Sequence, residues 1–248
     1  MASQWSNFLR NLGEWHGSFT AISPSGVMLG DTPSILSLES GEEEEPGKVT
    51  MVRFRLRRFR GRERQGEPES DHRQEYRNLG RQVVFFDSGT FCKGTLQLAP
   101  GTTSGAEFGF LEADRRHRLV VLFDAGGKPD QLVLIREFRA GSQAVETPPL
   151  TTGELQGDWR GESATITADW PEPARAEIHL EMTADRLAQV QLLPDGGYVS
   201  LPAQVSHRAP FALEAGWLVS PGRLQRLVRR YDATGAWQSA TLDTLVQA

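Results

Sequence analysis

Apolar and polar residues alternate with period two along most of the chain, the pattern of strands with one buried face. The first segment departs from it. Trp5, Phe8, Leu9 and Leu12 recur at helical spacing, with Ser3 placed as an N-cap and Gly13 as a stop, so a short amphipathic helix is expected over 3–12. Ser23-Pro24-Ser25-Gly26 then reads as a turn. Strands are expected at roughly 15–22, 34–40, 48–58, 73–77, 82–86, 90–98, 106–113, 117–124 and 131–139, and again at roughly 160–168, 174–183, 186–193, 197–202, 211–219, 223–232 and 236–246. So many short strands predict an all-β protein of closed antiparallel barrels or sandwiches.

The pattern occurs twice. Gly13-Glu14-Trp15-His16-Gly17 near the start returns as Gly157-Asp158-Trp159-Arg160-Gly161, and an internal repeat of this length implies a duplicated unit. Further matches are Phe110-Leu111-Glu112-Ala113 with Ala212-Leu213-Glu214-Ala215, and Asp124-Ala125-Gly126-Gly127 with Asp232-Ala233-Thr234-Gly235, the second pair at hairpin turns. Trp15 and Trp159 are 144 positions apart, Asp124 and Asp232 only 108. The first copy is therefore the larger, with extra length in the run Glu42 to Pro46 and the polar stretch 61–73. The expected division is a first barrel over 1–146, a linker at 147–153 containing Pro148-Pro149, and a smaller second barrel over 154–248.

Composition narrows the partners. With 32 acidic and 27 basic residues the net charge is -5, which gives no reason to expect nucleic acid. No stretch approaches the ~18 apolar residues of a spanning helix, and no basic head precedes an apolar run. Cys92 is the single cysteine, which rules out an intramolecular disulfide and fits a reducing, cytoplasmic setting. The five histidines have no metal-ligand spacing, so no metal site is expected.

A short helix running into Gly13-Glu14-Trp15 on a first antiparallel strand resembles the lipocalin and fatty-acid-binding-protein superfamily. Trp5-x-x-Phe8 leading into Leu12 to Gly17, with Ser88-Gly89-Thr90-Phe91, Arg115 to Val120 and Ile135-Arg136-Glu137, is similar to an uncharacterised cyanobacterial and plastid-lineage family described as two lipocalin-like barrels in tandem. That family is distantly similar to phycobiliprotein lyases, which hold an open-chain bilin and pass it to a cysteine of an antenna protein. The resemblance implies tandem lipocalin-like barrels, a tetrapyrrole (bilin) as candidate ligand and a pigment protein as candidate partner. In the superfamily a basic residue on the last strand stacks on the Trp, which would be Arg136 or Arg139 for Trp15. The last strand of the second copy, Ser239 to Val246, has none, which leaves Arg229 or Arg230 to close that base.

Candidate chemistry follows from which strand face points inward. In the run 52–60, Val52, Phe54 and Leu56 share one face and Arg53, Arg55 and Arg57 the other. Arginines facing a cup would grip carboxylates bidentately; the opposite orientation leaves them solvated, and is the usual barrel pattern. The leading expectation is a cup for a hydrophobic or amphipathic small molecule with acidic groups, its apolar wall drawn from Trp15, Phe19, Phe85, Phe91 and Phe108 and its carboxylate contacts from Arg55, Arg57, Arg118 and Arg136. An enzyme of bilin-lyase or isomerase kind would use Glu112 as proton donor. A ligand-free scaffold, its barrels filled by their own side chains, is the third reading.

Overall fold

The computed structural model describes residues 3–61, 64 and 66–248. Helix α1 (Gln4–Leu9) is followed by β1 (Gly13–Ile22), β2 (Met28–Glu43), β3 (Val49–Arg58), β4 (Ser70–Tyr76), β5 (Val83–Phe85), β6 (Phe91–Gly94), β7 (Ser104–Glu112), β8 (Arg115–Phe123) and β9 (Pro129–Arg139). These strands form one antiparallel sheet in the order β4-β3-β2-β1-β9-β8-β7-β6-β5. After α2 (Thr152–Leu155), a second sheet gathers β10 (Gly157–Thr167), β11 (Ala174–Met182), β12 (Gln191–Leu192), β13 (Gly197–Ser200), β14 (Phe211–Ser220), β15 (Arg223–Tyr231) and β16 (Trp237–Gln247) in the order β11-β10-β16-β15-β14-β13-β12. The protein is thus nearly all β, with two sheets of the same winding.

Among the described residues neither sheet closes on itself through hydrogen bonds, so each is a half-barrel. In the first, α1 fills the gap. Phe8 puts its ring 5.8 Å from Tyr76 on edge strand β4 and 5.3 Å from Phe85 on the other edge strand, β5. Ser3 caps the helix by accepting from the Ser6 amide, and Gly13 turns the chain into β1 at φ 129, a backbone setting that favours glycine.

The Trp repeat is structural to the last hydrogen bond. Trp15 donates its indole N–H to the Asn11 carbonyl at 2.9 Å, and Trp159 to the Leu155 carbonyl at 2.8 Å. Both side chains are fully buried. The stretch 186–193, expected as a strand, instead begins in the helical turn α3 (Ala184–Leu187), because the Thr183 side chain accepts from the Arg186 amide and caps it.

One face of each sheet belongs to neither cup. Phe108, Phe110, Leu119, Val121 and Leu134 on the outer side of the first half-barrel pack with Leu213, Ala215, Trp217, Leu227 and Leu242 of the second in one continuous apolar core. Smaller cores around Trp15 and around Trp159 lie inside the respective cups. The strands β7, β8 and β9 are therefore buried on both faces.

Candidate functional site

Inside the first half-barrel, alternation places Leu36 and Leu38 of β2, Phe54 of β3, Phe91 of β6, Glu107 of β7 and Arg116 and Arg118 of β8 on the inner face. With Phe8, Tyr76, Val83 and Phe85 they line a cavity of about 250 Å3. Gly109 makes this wall possible. It stands opposite Phe91 in the β6-β7 pairing, and a Cβ there would lie within 2.1 Å of the Phe91 ring, so the ring lies across bare backbone.

The floor is an ion-pair network. Glu137, with no exposed surface, accepts from Arg116 Nε (3.0 Å) and Nη2 (2.7 Å) and from Arg118 Nε and Nη2 (3.0 Å each). Arg118 Nη1 donates to Glu107 at 2.8 Å. Burial alone would raise the Glu137 carboxyl, but the two guanidinium charges outweigh it and hold it below the usual carboxylate range. Burial pulls Arg116 down to about 10, which leaves it charged at neutral pH. Below the network, Arg116 and Arg139 stand 4.8 and 4.4 Å from the Trp15 ring. Gly13 leaves room for the Arg139 guanidinium, which a Cβ would meet at 2.4 Å.

Two polar groups of the cup lack partners. Lys93 lines the mouth without a carboxylate in ion-pair distance among the described residues. Asn11 donates to the Gly89 carbonyl, yet its buried Oδ1 accepts from nothing.

The second half-barrel carries the same arrangement with added donors. Strand pairing matches Glu107 opposite Val120 with Glu214 opposite Val228, so Glu107, not Glu112, is the counterpart of Glu214. Arg118 corresponds to Arg226, Phe91 to Tyr198 and Gly109 to Gly216, whose missing Cβ again accommodates the aromatic ring. Here Tyr198 adds a hydroxyl that Phe91 lacks, donating to Glu214 at 3.1 Å, while Arg186 and Arg226 donate at 2.9 and 2.7 Å. In the second cup Tyr198 and Arg186 thus add donors to a carboxylate whose counterpart in the first, Glu107, accepts from Arg118. Its Trp159 faces Gln247 where Trp15 faces Arg139, and Arg229 lies over Trp237 instead.

Of the sequence-expected site residues, Phe85, Phe91 and Arg118 line the cavity. Trp15 is sealed beneath it, and Phe19 shares its face under the Arg58 and Arg118 guanidiniums, 4.4 and 5.8 Å away. The rest are corrected by strand direction. Arg55 and Arg57 face outward, paired with Asp71 (2.8 Å) and Glu14 (3.2 Å), because Val52, Phe54 and Leu56 take the inner side. Arg136 sits outside, donating to Thr20 and Glu146. Phe108 lies in the core between the half-barrels. Glu112 is at that junction too, accepting from Arg223 (3.2 Å) and Gln225 (3.0 Å). Sequence reasoning missed Lys93, Glu107, Arg116 and Glu137. The match of Glu107 with Glu214 on paired strands was the signal available for Glu107.

A family model for the N-terminal part of a domain of unknown function, DUF3598, matches residues 1–142. The crystal structure of a DUF3598 protein of unknown function from Nostoc punctiforme is 35% identical, with 100% of each chain covered and a TM-score of 0.89. The chain belongs to the DUF3598 family. In this DUF3598 protein, residues 146–189 and 182–246 also match the C-terminal domain of biogenesis factor required for ATP synthase 1. The S-type phycobiliprotein lyase of Guillardia theta is 16% identical over 57% of this chain and 95% of its own, at a TM-score of 0.37. No curated protein matches. Among the described residues, no helix of this DUF3598 protein is long and apolar enough to cross a membrane.

Proposed function

We propose that the first half-barrel binds an amphipathic small molecule with acidic groups, its apolar body against Phe54, Phe85 and Phe91 and an anionic group on Lys93. The observation that carries this reading is the contrast between copies. At matching positions the second cup satisfies its carboxylate from three donors of its own, whereas the first holds a 250 Å3 cavity lined by Lys93, an exposed cation without an ion-pair partner among the described residues. A pocket lined mainly by apolar groups with a few convergent polar ones is the usual form of a small-molecule site.

An open-chain tetrapyrrole suits these groups: pyrrole N–H for Glu107, propionate for Lys93. The cavity is smaller than the ~300–1,000 Å3 common for such ligands, so part of the molecule would lie in the open mouth. A pigment protein would be the corresponding partner. Should the site also transfer or isomerise its ligand, Glu107 is the carboxylate within reach.

The test is an absorbance titration with biliverdin. Saturable binding is expected in the native protein, weakened about tenfold or more by Lys93→Glu, since a charge-assisted contact is replaced by repulsion. Absence of binding, or equal affinity in the variant, would refute the assignment.

A further inference from the structure

The two copies clasp each other reciprocally at their junction. Gln97-Leu98 lies in the connection between β6 and β7, and Gln204-Val205 in the matching connection between β13 and β14. Gln204 Nε2 donates to the Gly126 carbonyl and the Val205 amide to the Gly127 carbonyl, at 2.7 and 2.8 Å. In return Gln97 Nε2 donates to the Thr234 carbonyl and the Leu98 amide to the Gly235 carbonyl, at 2.7 and 2.9 Å. Each connection thus pins the other copy's hairpin turn, and the rim of the junction is held from both sides.

The residues that come next break this symmetry. After Leu98 the first copy continues Ala99-Pro100-Gly101, whereas after Val205 the second continues Ser206-His207-Arg208. Both loops line one cavity of about 300 Å3, together with Thr102, Ser104 and the turn 125–127. The small residues of the first loop leave the space, and the second loop supplies donors.

His207 is half-buried and Arg208 exposed. Neither side chain, nor the Ser104 hydroxyl, has a hydrogen-bond or ion-pair partner among the described residues, and the polar atoms of all three are accessible. Ser206 Oγ accepts from the Arg208 amide at 3.0 Å, which leaves its own proton to donate. Among the described residues no carboxylate lines the cavity. Neighbouring Asp124 is turned into its own hairpin, accepting from the Gly126 and Lys128 amides at 2.8 and 2.9 Å. A pocket with cations and hydroxyls but no acid concentrates positive potential and favours an oxyanion.

We propose that this junction cavity is a second binding site, separate from the cup, for a small phosphate monoester. The Arg208 guanidinium takes two phosphate oxygens in its fork, and His207, Ser104 and Ser206 donate to the phosphate from the cavity wall. The ester body lies against the small loop 99–101. A volume of about 300 Å3 is at the lower end of small-molecule sites and holds more than a phosphate group alone.

The test uses the full chain with its histidine side chains labelled with 15N. It is titrated with glycerol 3-phosphate, with inorganic phosphate and with glycerol, sodium chloride holding the ionic strength constant. His207→Asn assigns the His207 resonances by their disappearance. Glycerol 3-phosphate is expected to shift them saturably, with an affinity about tenfold lower in Arg208→Gln and unchanged in the cup variant Lys93→Glu. Glycerol is expected to shift nothing, and inorganic phosphate to bind more weakly than the ester. Because Arg208 is exposed, its variant tests the site without disturbing the fold. His207 resonances that do not move with glycerol 3-phosphate, an affinity unchanged in Arg208→Gln, or a shift lost in Lys93→Glu would overturn the proposal.

Discussion

Replacing Glu137 by Gln is expected to destabilise the protein by about 3–5 kcal/mol, the usual cost of removing one partner from a buried ion pair. The reason lies in its position. Among the described residues Glu137 is the only carboxylate bonded to Arg116, and it is shared with Arg118. Its loss strands a buried guanidinium above Trp15, while Arg118 keeps Glu107. The change should appear as a lower urea midpoint with an unchanged slope. Removing both charges in Glu137→Leu with Arg116→Met should recover much of the loss, because the penalty comes from the uncompensated charge rather than from the missing bond. The folded-state pKa of Glu137 is lowered, so its contribution is present above the unfolded carboxyl pKa of about 4.3 and is lost as the pH falls through the folded value. A Glu137→Gln protein within 1 kcal/mol of the native one would contradict this picture.

Asp195→Ala is expected to cost about 3 kcal/mol, by loosening the clasp between the two half-barrels. Asp195 sits in the left-handed region at φ 58 with 2% of its surface exposed. It accepts from Arg115 (2.6 Å) and from the Thr147 amide (2.8 Å), and contacts His117 Nδ1 at 3.4 Å. Burial would raise this carboxyl, but the His117 contact, the Thr147 amide and Arg115 hold it below its ordinary value. His117 stacks on Trp217 at 5.5 Å, and burial outweighs the pull of Asp195 to lower its pKa. Both groups then act in one direction. For each, the unfolded chain binds more protons than the folded one over part of the acid range, so stability rises with pH. The histidine part is complete above its unfolded pKa of about 6.5 and fades as the pH drops through its lower folded value. His117→Phe, which keeps a ring against Trp217, should flatten the stability profile just below pH ~6.5. An unchanged profile would mean that His117 keeps the same pKa folded and unfolded.

Much of the architecture was legible from alternation and from the repeated Trp motif. The Ser3 cap and the apolar face of 52–56 follow from spacing alone, and the structure has them; the helix itself ends earlier than expected, at Leu9 with Arg10 as its C-cap, and Gly13 opens β1 instead of closing the helix. The site was less legible, for a physical reason. A strand with one buried face announces its direction, but β7, β8 and β9 are buried on both faces, one by the cup and one by the other half-barrel. Phe108 therefore looks like cup wall when it is junction core, and Glu107 looks like a surface charge when it lines the cavity. The same ambiguity placed Arg136 inside, although its neighbour Glu137 is the buried partner. Aligning Glu112 with Glu214 by local similarity slipped the repeat, which strand pairing restores.

The most direct test of the central claim is a crystal structure grown with excess biliverdin. The account predicts density in the first cup, against Phe54, Phe85 and Phe91 with a propionate at Lys93, and none in the second cup around Tyr198 and Glu214. Density in the second cup, or a first cup left empty at saturating ligand, would contradict it.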